Sequence, residues 1–517
     1  MSDVPQFQKQ NPYNIFAKLI SHLRDVASEF FTSSAERNSI EINEECVEAV
    51  SQFISKIPEL ASPNECLHEG ISSQGMDAII RWADSNSKIH IYELLHKLDD
   101  FFDWEMIIKS SPVSSMPHFS SLNDNGKETG ILIVPRVPAV SDDSIPESRQ
   151  DHDSDESPSR NAAKRSWANL WDYGMHSDFK NIDYIEVKDL YVGEKHYQVC
   201  HTIVYDLFAL DTKKILKIAV SPLARDIDLD IEKREVPVNG GTQGFFRIQG
   251  VCSPERIHNR VAAAYLWACR EQADILVFPE MLADRELLGI GNDYSKMFES
   301  FALMAEEDGR SPFLIIGPTI WHDGKNEAYV LDGDGGRLCV QQKQNAFDLN
   351  DGGKIWKEDL LSPEPVVQVL HVPGLGRITI PICRDFLVTG YRDLLTKTLH
   401  CTLAICPSYS GGKTSFDLAA ARDRPFGCYT VWANTCSAYS KTGELPNHIG
   451  FVSSPVPGGS EQDLKPKCHG VCGSDTTACL FLIEISLNRV MPRQAKVHPQ
   501  IQEETNDGLN GKRTGED

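Results

Sequence analysis

From Leu216 to about residue 488 the chain repeats one pattern: a short apolar run rich in β-branched residues, a break, then a stretch with helical spacing. The runs are "LKIAVSPL", "ADILVFPE", "PFLIIGPTIW", "GRITIPIC", "CTLAICPSYS" and "GCYTVWAN". Between them lie "RIHNRVAAAYLWACREQ", opened by Ser253-Pro254-Glu255, and "SKMFESFALMAEE" and "SFDLAAARDRP". Consecutive rather than alternating apolar residues mean strands covered on both faces, and alternation with helices supplies the cover. The pattern predicts layered α/β packing. "DGDGG" inside "EAYVLDGDGGRLCVQQK" reads as a turn between two strands, which makes the sheet mixed.

Three of these runs end on reactive side chains: "ILVFPE" on Glu280, "LCVQQK" on Lys343 and "ITIPIC" on Cys383. Taken singly, each has a bland reading as a solvated acid, a surface cation or a core thiol. Taken together they answer a chemical requirement. A thiol must lose its proton to attack a carbonyl or nitrile carbon, and a carboxylate with a pKa raised by burial can take it. An ammonium and a backbone N–H just after the thiol can hold the negative charge that the attack creates.

Composition narrows the alternatives. A chain of 517 residues is too long for one ordinary core and implies two or three domains. A net charge of -23 argues against nucleic acid held on a broad basic face. No apolar run reaches the ~18 residues of a membrane helix. "MSDVPQFQKQNPYN" has no apolar signal core. The 14 cysteines are scattered through apolar stretches, as reduced thiols of the cytoplasm are. Cys468-His469 and Cys472 make a tight cluster without a second ligand pair nearby, so neither a metal nor a cofactor is expected.

The remainder divides by pattern. Residues 1–140 form a mostly helical extension, with stripes through Ile15, Phe16, Leu19 and Ile20, through Val47, Val50, Ile54 and Ile57, and from Ile89 through Leu94, Leu95 and Leu98 to Phe102. Residues 141–165 are an acidic, proline-containing flexible linker. Residues 166–215 read as a strand-containing connector, 216–488 as the layered domain and 489–517 as a disordered tail.

The stretch 216–488, about half the chain, resembles the carbon–nitrogen hydrolase (nitrilase) superfamily. "LKIAV" is similar to that family's first strand, "ADILVFPEM" to its Glu motif, "VQQKQNAF" to its Lys motif and "IPICRDF" to its nucleophile motif. "NEAYVLDGDG" resembles the hairpin before the Lys, and "LAICPSYSGG" and "AAARDRPFGCYTVWANTC" the elements after the nucleophile. The resemblance implies an α-β-β-α sandwich with Glu280, Lys343 and Cys383 as a catalytic triad. It also implies a second active-site glutamate, for which "WKEDLLSP" offers Glu358, with Glu364 as rival. Two departures stand out. Asn345 replaces a frequent His, and Arg384-Asp385 follow the cysteine where nitrile hydrolysers of the family carry Trp-Glu. That pair leans toward amide chemistry. Arg384 either selects an acidic substrate or points away to a surface acid. The segment from Val220 to Pro254 is longer than the family's usual first loop; it either covers the pocket or meets a partner.

The resemblance therefore implies hydrolysis of a non-peptide C–N bond in a small-molecule amide or nitrile, and homo-oligomers built through the sandwich domain. The helical extension and acidic linker, apart from the resemblance, make the N-terminal region a candidate for binding a partner protein. The competing reading is an assembly or sensing module with little or no catalysis. A Cys-His hydrolase using His400 or His448 is a third.

Overall fold

The computed structural model describes residues 15–21, 44–61, 71–99, 118–119, 131–135, 182–204, 215–223, 228–282, 297–298, 301, 309–361, 363–372, 375–438, 449–455, 479–486 and 495–498. The acidic linker, most of "SKMFESFALMAEE", His448, the cysteine cluster at 468–472 and the tail beyond 498 lie outside these residues. The chain divides into two units, one of Met1–Leu207 with Leu370–Arg377, the other of Phe208–Val369 with Ile378–Asp517.

In the first unit, helix α1 (Glu44–Ile54) opens on Glu44 and Glu45, whose charges suit a helix N-terminus. Helix α2 (Ser73–Ser85) is capped by Ser72, whose hydroxyl accepts the Gly75 N–H at 3.1 Å. Met76, Ile79 and Ala83, three and four residues apart, form its buried face. Helix α3 (Lys88–Asp99) buries Ile91, Leu94, Leu95 and Leu98. These stripes join Ile15, Phe16, Leu19 and Val50 in one core, each large side chain contributing about 1.5–3 kcal/mol by leaving water. The same core takes in Ile133 and Ile182 from strands β1 (Ile131–Pro135) and β2 (Ile182–Glu186), which pair antiparallel. The sequence reading of 1–140 passed over β1, although its apolar, β-branched composition suits a strand better than a helix. Strand β3 (Gln198–Ile203) also belongs to this unit.

The second unit is mixed α/β. Its larger sheet is built on strands β4 (Ile215–Val220), β7 (Ile275–Val277) and β8 (Leu314–Ile316), parallel to one another and wholly apolar where they pair. Two hairpin-forming strands, β9 (Ile320–His322) and β10 (Lys325–Leu331), extend it antiparallel, followed by β11 (Arg337–Gln342). The turn from β10 to β11 is "DGDGG", where Asp332 Oδ1 accepts the N–H groups of Asp334 and Gly336 at 3.0 and 2.7 Å. Helix α4 (Pro254–Arg270), with Pro254 in its first turn, packs Ile257, Val261, Ala264, Tyr265 and Ala268 against the sheet residues Ala219, Leu276 and Ile315.

A second run of parallel strands is β14 (Gly376–Thr379), β15 (Leu403–Ser408) and β16 (Tyr429–Asn434), with helix α5 (Thr414–Asp423) between the last two, and antiparallel β17 (Gly450–Ser453) beyond. Strand β18 (Phe481–Ser486) returns to pair antiparallel with β4. Its other edge pairs antiparallel with a strand at Ala495–His498, which corrects the expectation that the chain is disordered from 489 on. The long segment before α4 forms the hairpin of β5 (Leu229–Val238) and β6 (Gly241–Val251). It joins β12 (Asp348–Asp351) and β13 (Lys354–Glu358) in a separate four-stranded sheet. The junction is the parallel pairing of β6 with β13, and it needs Gly244: a Cβ there would meet the Trp356 ring at 2.8 Å.

Candidate active site

Four strand ends of the second unit deliver their side chains to one buried place. Glu280 stands three residues past β7, Lys343 directly after β11, Glu358 at the end of β13 and Cys383 four residues past β14. Glu280, Lys343 and Glu358 are buried, and Cys383 is 3% exposed. Lys343 Nζ donates to Glu280 Oε1 and to Glu358 Oε2, each at 2.7 Å. The Cys383 thiol is in hydrogen-bonding contact with Glu280. Glu364, the rival to Glu358, is exposed.

The backbone holds this arrangement. At the end of β15, adjacent carbonyls take the nucleophile and the acid: Pro407 O accepts from Cys383 N at 2.9 Å and Ser408 O from Glu280 N at 3.4 Å. Tyr409 N–H then donates to Glu280 Oε2 at 3.0 Å, and Phe347 N–H to Glu358 Oε2 at 2.9 Å. The Asn326 side-chain amide donates to Glu280 Oε1 at 2.9 Å and, more weakly, to Glu358 Oε1 at 3.4 Å. Cys383 has φ 46° and ψ -101°, outside the regions open to an ordinary L-residue. Such a conformation costs about 1–3 kcal/mol and persists where surrounding bonds impose it. Here the imposing bonds are Pro407 O on its N–H and Phe386 N–H on its carbonyl, at 2.9 and 3.1 Å. The result is a sharp turn that ends the extended run and presents the thiol.

The ionisation of the site follows from burial and from the pairing. Burial raises the pKa of Glu280; Lys343 opposes the rise and Glu358 adds to it. Burial pulls Lys343 down, but Glu280 and Glu358 outweigh it, so the ammonium is held charged. Burial, then Glu280, pushes the Cys383 thiol well up, with Lys343 partly compensating. The resting sulfur is therefore a neutral thiol beside a carboxylate of raised pKa.

The two residues after the cysteine part company. Arg384 is exposed, so its side chain does not join the buried group. Asp385 is buried and turned inward, and it serves as an anchor for backbone. It accepts the N–H groups of Gln344 at 3.0 Å, Asn345 at 2.7 Å and Ile382 at 3.3 Å, and the Asn345 side-chain amide at 2.9 Å. His400 precedes β15, whereas Cys383 is bonded at its far end. At ~3.3 Å per residue the strand separates them by roughly 15 Å. Sequence reasoning assigned no role to Asn326, Tyr409 or Phe347. Asn326 carried a signal: an Asn is a poor strand former, yet it stands second in the β10 hairpin strand and is buried. The backbone N–H donors carried none.

Among the described residues there is no group of three or more His, Cys, Asp or Glu side chains able to hold a metal ion. No described helix is long and apolar enough to cross a membrane.

No protein-family model matches the chain, and no curated protein matches it. Solved structures to which it is similar include a nitrilase-superfamily amidase from Nesterenkonia sp. AN1. In one structure of that enzyme, the acetamide moiety of fluoroacetamide is added covalently at the active-site cysteine; identity is 14%, coverage 53% of this chain and 90% of the amidase, and the TM-score 0.34. Glutamine-dependent NAD+ synthetase from Acinetobacter baumannii is 16% identical over 56% of this chain and 48% of the synthetase, with a TM-score of 0.35. The NitFhit protein of C. elegans is 16% identical over 54% of this chain and 62% of its own, with a TM-score of 0.34.

Proposed function

We propose that the chain is a carbon–nitrogen hydrolase of the nitrilase superfamily that cleaves a non-peptide amide through a thioester at Cys383. What carries this reading is Lys343 held at 2.7 Å from both Glu280 and Glu358, with the Cys383 thiol against Glu280. In this reading the two runs of parallel strands are the facing sheets of an α-β-β-α sandwich, with α4 and α5 outside.

Because the thiol is held neutral, attack begins with proton transfer from Cys383 Sγ to Glu280, whose pKa, raised by burial, makes it a stronger base than an ordinary carboxylate. The sulfur then adds to the amide carbon. Lys343 Nζ and the backbone N–H of Arg384 hold the charge that develops on the oxygen. Glu280 returns its proton to the departing amine, leaving an acyl thioester. Glu280 next takes a proton from water, the resulting hydroxide opens the thioester, and the acid leaves with Cys383 again a thiol. Glu358 keeps Lys343 charged and in place. The Arg384-Asp385 pair supports amide over nitrile as the substrate. The described cysteines are free thiols, which supports a reducing compartment such as the cytoplasm.

An assembly module without catalysis gives no reason to bury two carboxylates, an ammonium and a strained thiol together, since removing the charges from water is costly. The test is ammonia release from a panel of small amides and nitriles by the full chain, with Cys383→Ala as control. Release from amides by the unsubstituted protein alone supports the reading. Equal release by Cys383→Ala overturns it.

A further inference from the structure

The small sheet of β5, β6, β12 and β13 brings an apolar wall to the candidate site. Phe246 and Ile248 of β6 are buried with Met281 and Trp321, and Phe347 and Tyr409 pack against them. Three of these residues are tied to the acids by the chain itself. Met281 follows Glu280, Phe347 N–H donates to Glu358, and Tyr409 N–H donates to Glu280. Trp321 is tied by sheet register: it lies directly across from Asn326, whose amide bonds both glutamates. Side chains of such a pair share one face of the sheet, with Cβ atoms about 4.5–5.5 Å apart. The Trp321 indole is 8% exposed and its Nε1–H has no hydrogen-bond partner; buried Asn326 Oδ1 has none either. Buried polar atoms without partners are rare enough to call for an explanation, and a bound ligand supplies one.

Among the described residues, the charges around this wall disfavour an anion. Lys343 is shared between two carboxylates. Arg247 lies between Phe246 and Ile248 on its strand and so faces the other way; it is paired with Asp359, as is Arg234. Arg384 is exposed.

Resting on the hydrolase reading, we propose that the site takes a neutral amide with an aromatic body that carries a hydrogen-bond acceptor, and that Trp321 is the specificity-determining residue. The aromatic body packs on Trp321, Phe347 and Met281, and its acceptor takes the Trp321 Nε1–H.

The experiment measures alkylation of Cys383 in the full chain by peptide mass spectrometry, normalised to the exposed Cys252. The reagents are iodoacetate, iodoacetamide, N-phenyl-iodoacetamide and N-(4-acetylphenyl)-iodoacetamide, which share one reactive carbon. The proposal expects iodoacetate to be slowest at Cys383, iodoacetamide intermediate, and the acetylphenyl reagent fastest, about tenfold above the phenyl reagent, as one good hydrogen bond gives. Trp321→Phe keeps the ring and should bring the two aryl reagents level. Iodoacetate matching the aryl reagents, or Trp321→Phe slowing both aryl reagents equally, overturns the proposal. The reagent ranking on the unsubstituted chain decides the charge and aromatic parts even if Trp321→Phe does not fold. Failure of the underlying reading looks different: Cys383 would react with no reagent faster than Cys252, and Glu280→Gln would change nothing.

Discussion

Asn345 donates twice to one oxygen of Asp385, through its backbone N–H at 2.7 Å and its side-chain amide at 2.9 Å. The bond links two turns that must be in register. Asn345 stands two residues after Lys343, and Asp385 two residues after Cys383. Asp385 thus aligns the ammonium with the thiol while touching neither reacting atom, which makes it a positioning residue. In Asp385→Asn an NH2 group faces the N–H donors that the carboxylate now accepts. Each buried donor left without an acceptor costs about 1–3 kcal/mol. We expect a loss of roughly 2–4 kcal/mol in urea unfolding and a fall in kcat of about a hundredfold with KM nearly unchanged, since a misplaced reacting group costs rate more than binding. A purely structural role would lower stability and leave kcat per folded molecule as it was.

Glu358→Gln separates charge from shape. Glu358 raises the pKa of Glu280, so its neutral replacement lowers that pKa. Glu280 must be ionised to accept the thiol proton. The acid limb of the kcat/KM profile should therefore move to lower pH in Glu358→Gln, while the maximal rate falls about 10- to 1,000-fold because Lys343 loses one of its two partners. A profile that drops without moving would mean that Glu358 does not act on Glu280.

Cys383 pays in backbone strain for its placement, at φ 46° and ψ -101°. Glycine adopts positive φ without a Cβ penalty. Cys383→Gly and Cys383→Ala both abolish catalysis, but Gly relieves the strain and Ala keeps it. Cys383→Gly is expected to unfold about 1 kcal/mol later than Cys383→Ala. Equal stabilities would show that this turn stores no strain.

The part of the site legible in the sequence is the part carried by local pattern. The apolar runs ending on Glu280, Lys343 and Cys383 mark strand ends without reference to the rest of the fold. Glu358 was legible through resemblance as the candidate preferred to Glu364, and the structure buries Glu358 and leaves Glu364 exposed. The small sheet was not legible, because Trp356 pairs with Gly244 across more than a hundred residues and β5 is largely exposed, leaving no two-faced apolar run to read. Arg384 and Asp385, adjacent and both charged, illustrate the limit. Which one turns inward is decided by the N–H groups of Gln344, Asn345 and Ile382, and backbone donors leave no trace in side-chain identity. The same holds for the single-residue turn geometry of Cys383, which any residue type could in principle be forced to adopt.

In the first unit, His201 Nδ1 and His371 Nε2 are 2.8 Å apart and both rings are buried. The contact needs one proton between two nitrogens. Burial lowers the pKa of His201 to about 3, with Arg377 adding to the effect. Burial, then His201 and Arg377, lowers that of His371 well below its usual value. These folded-state values lie under the unfolded value of about 6.5, so the unfolded chain binds protons first on acidification. The stabilisation by the neutral pair is present above pH 6.5 and is lost as pH falls from about 6.5 toward 3, at about 1.4 kcal/mol per pH unit for each ring. Asp385 and Asp423 slope the other way. Burial raises both to about 7, so their contribution is lost as pH rises toward 7. A variant isolates the histidines from these acids: His201→Asn and His371→Gln together place amide groups where the two bonded ring nitrogens stand and cannot titrate. Urea unfolding between pH 7.5 and 4.5 should show the unsubstituted protein losing stability on acidification more steeply than the double variant. Parallel curves over that range would mean that the pair is not held neutral in the folded chain.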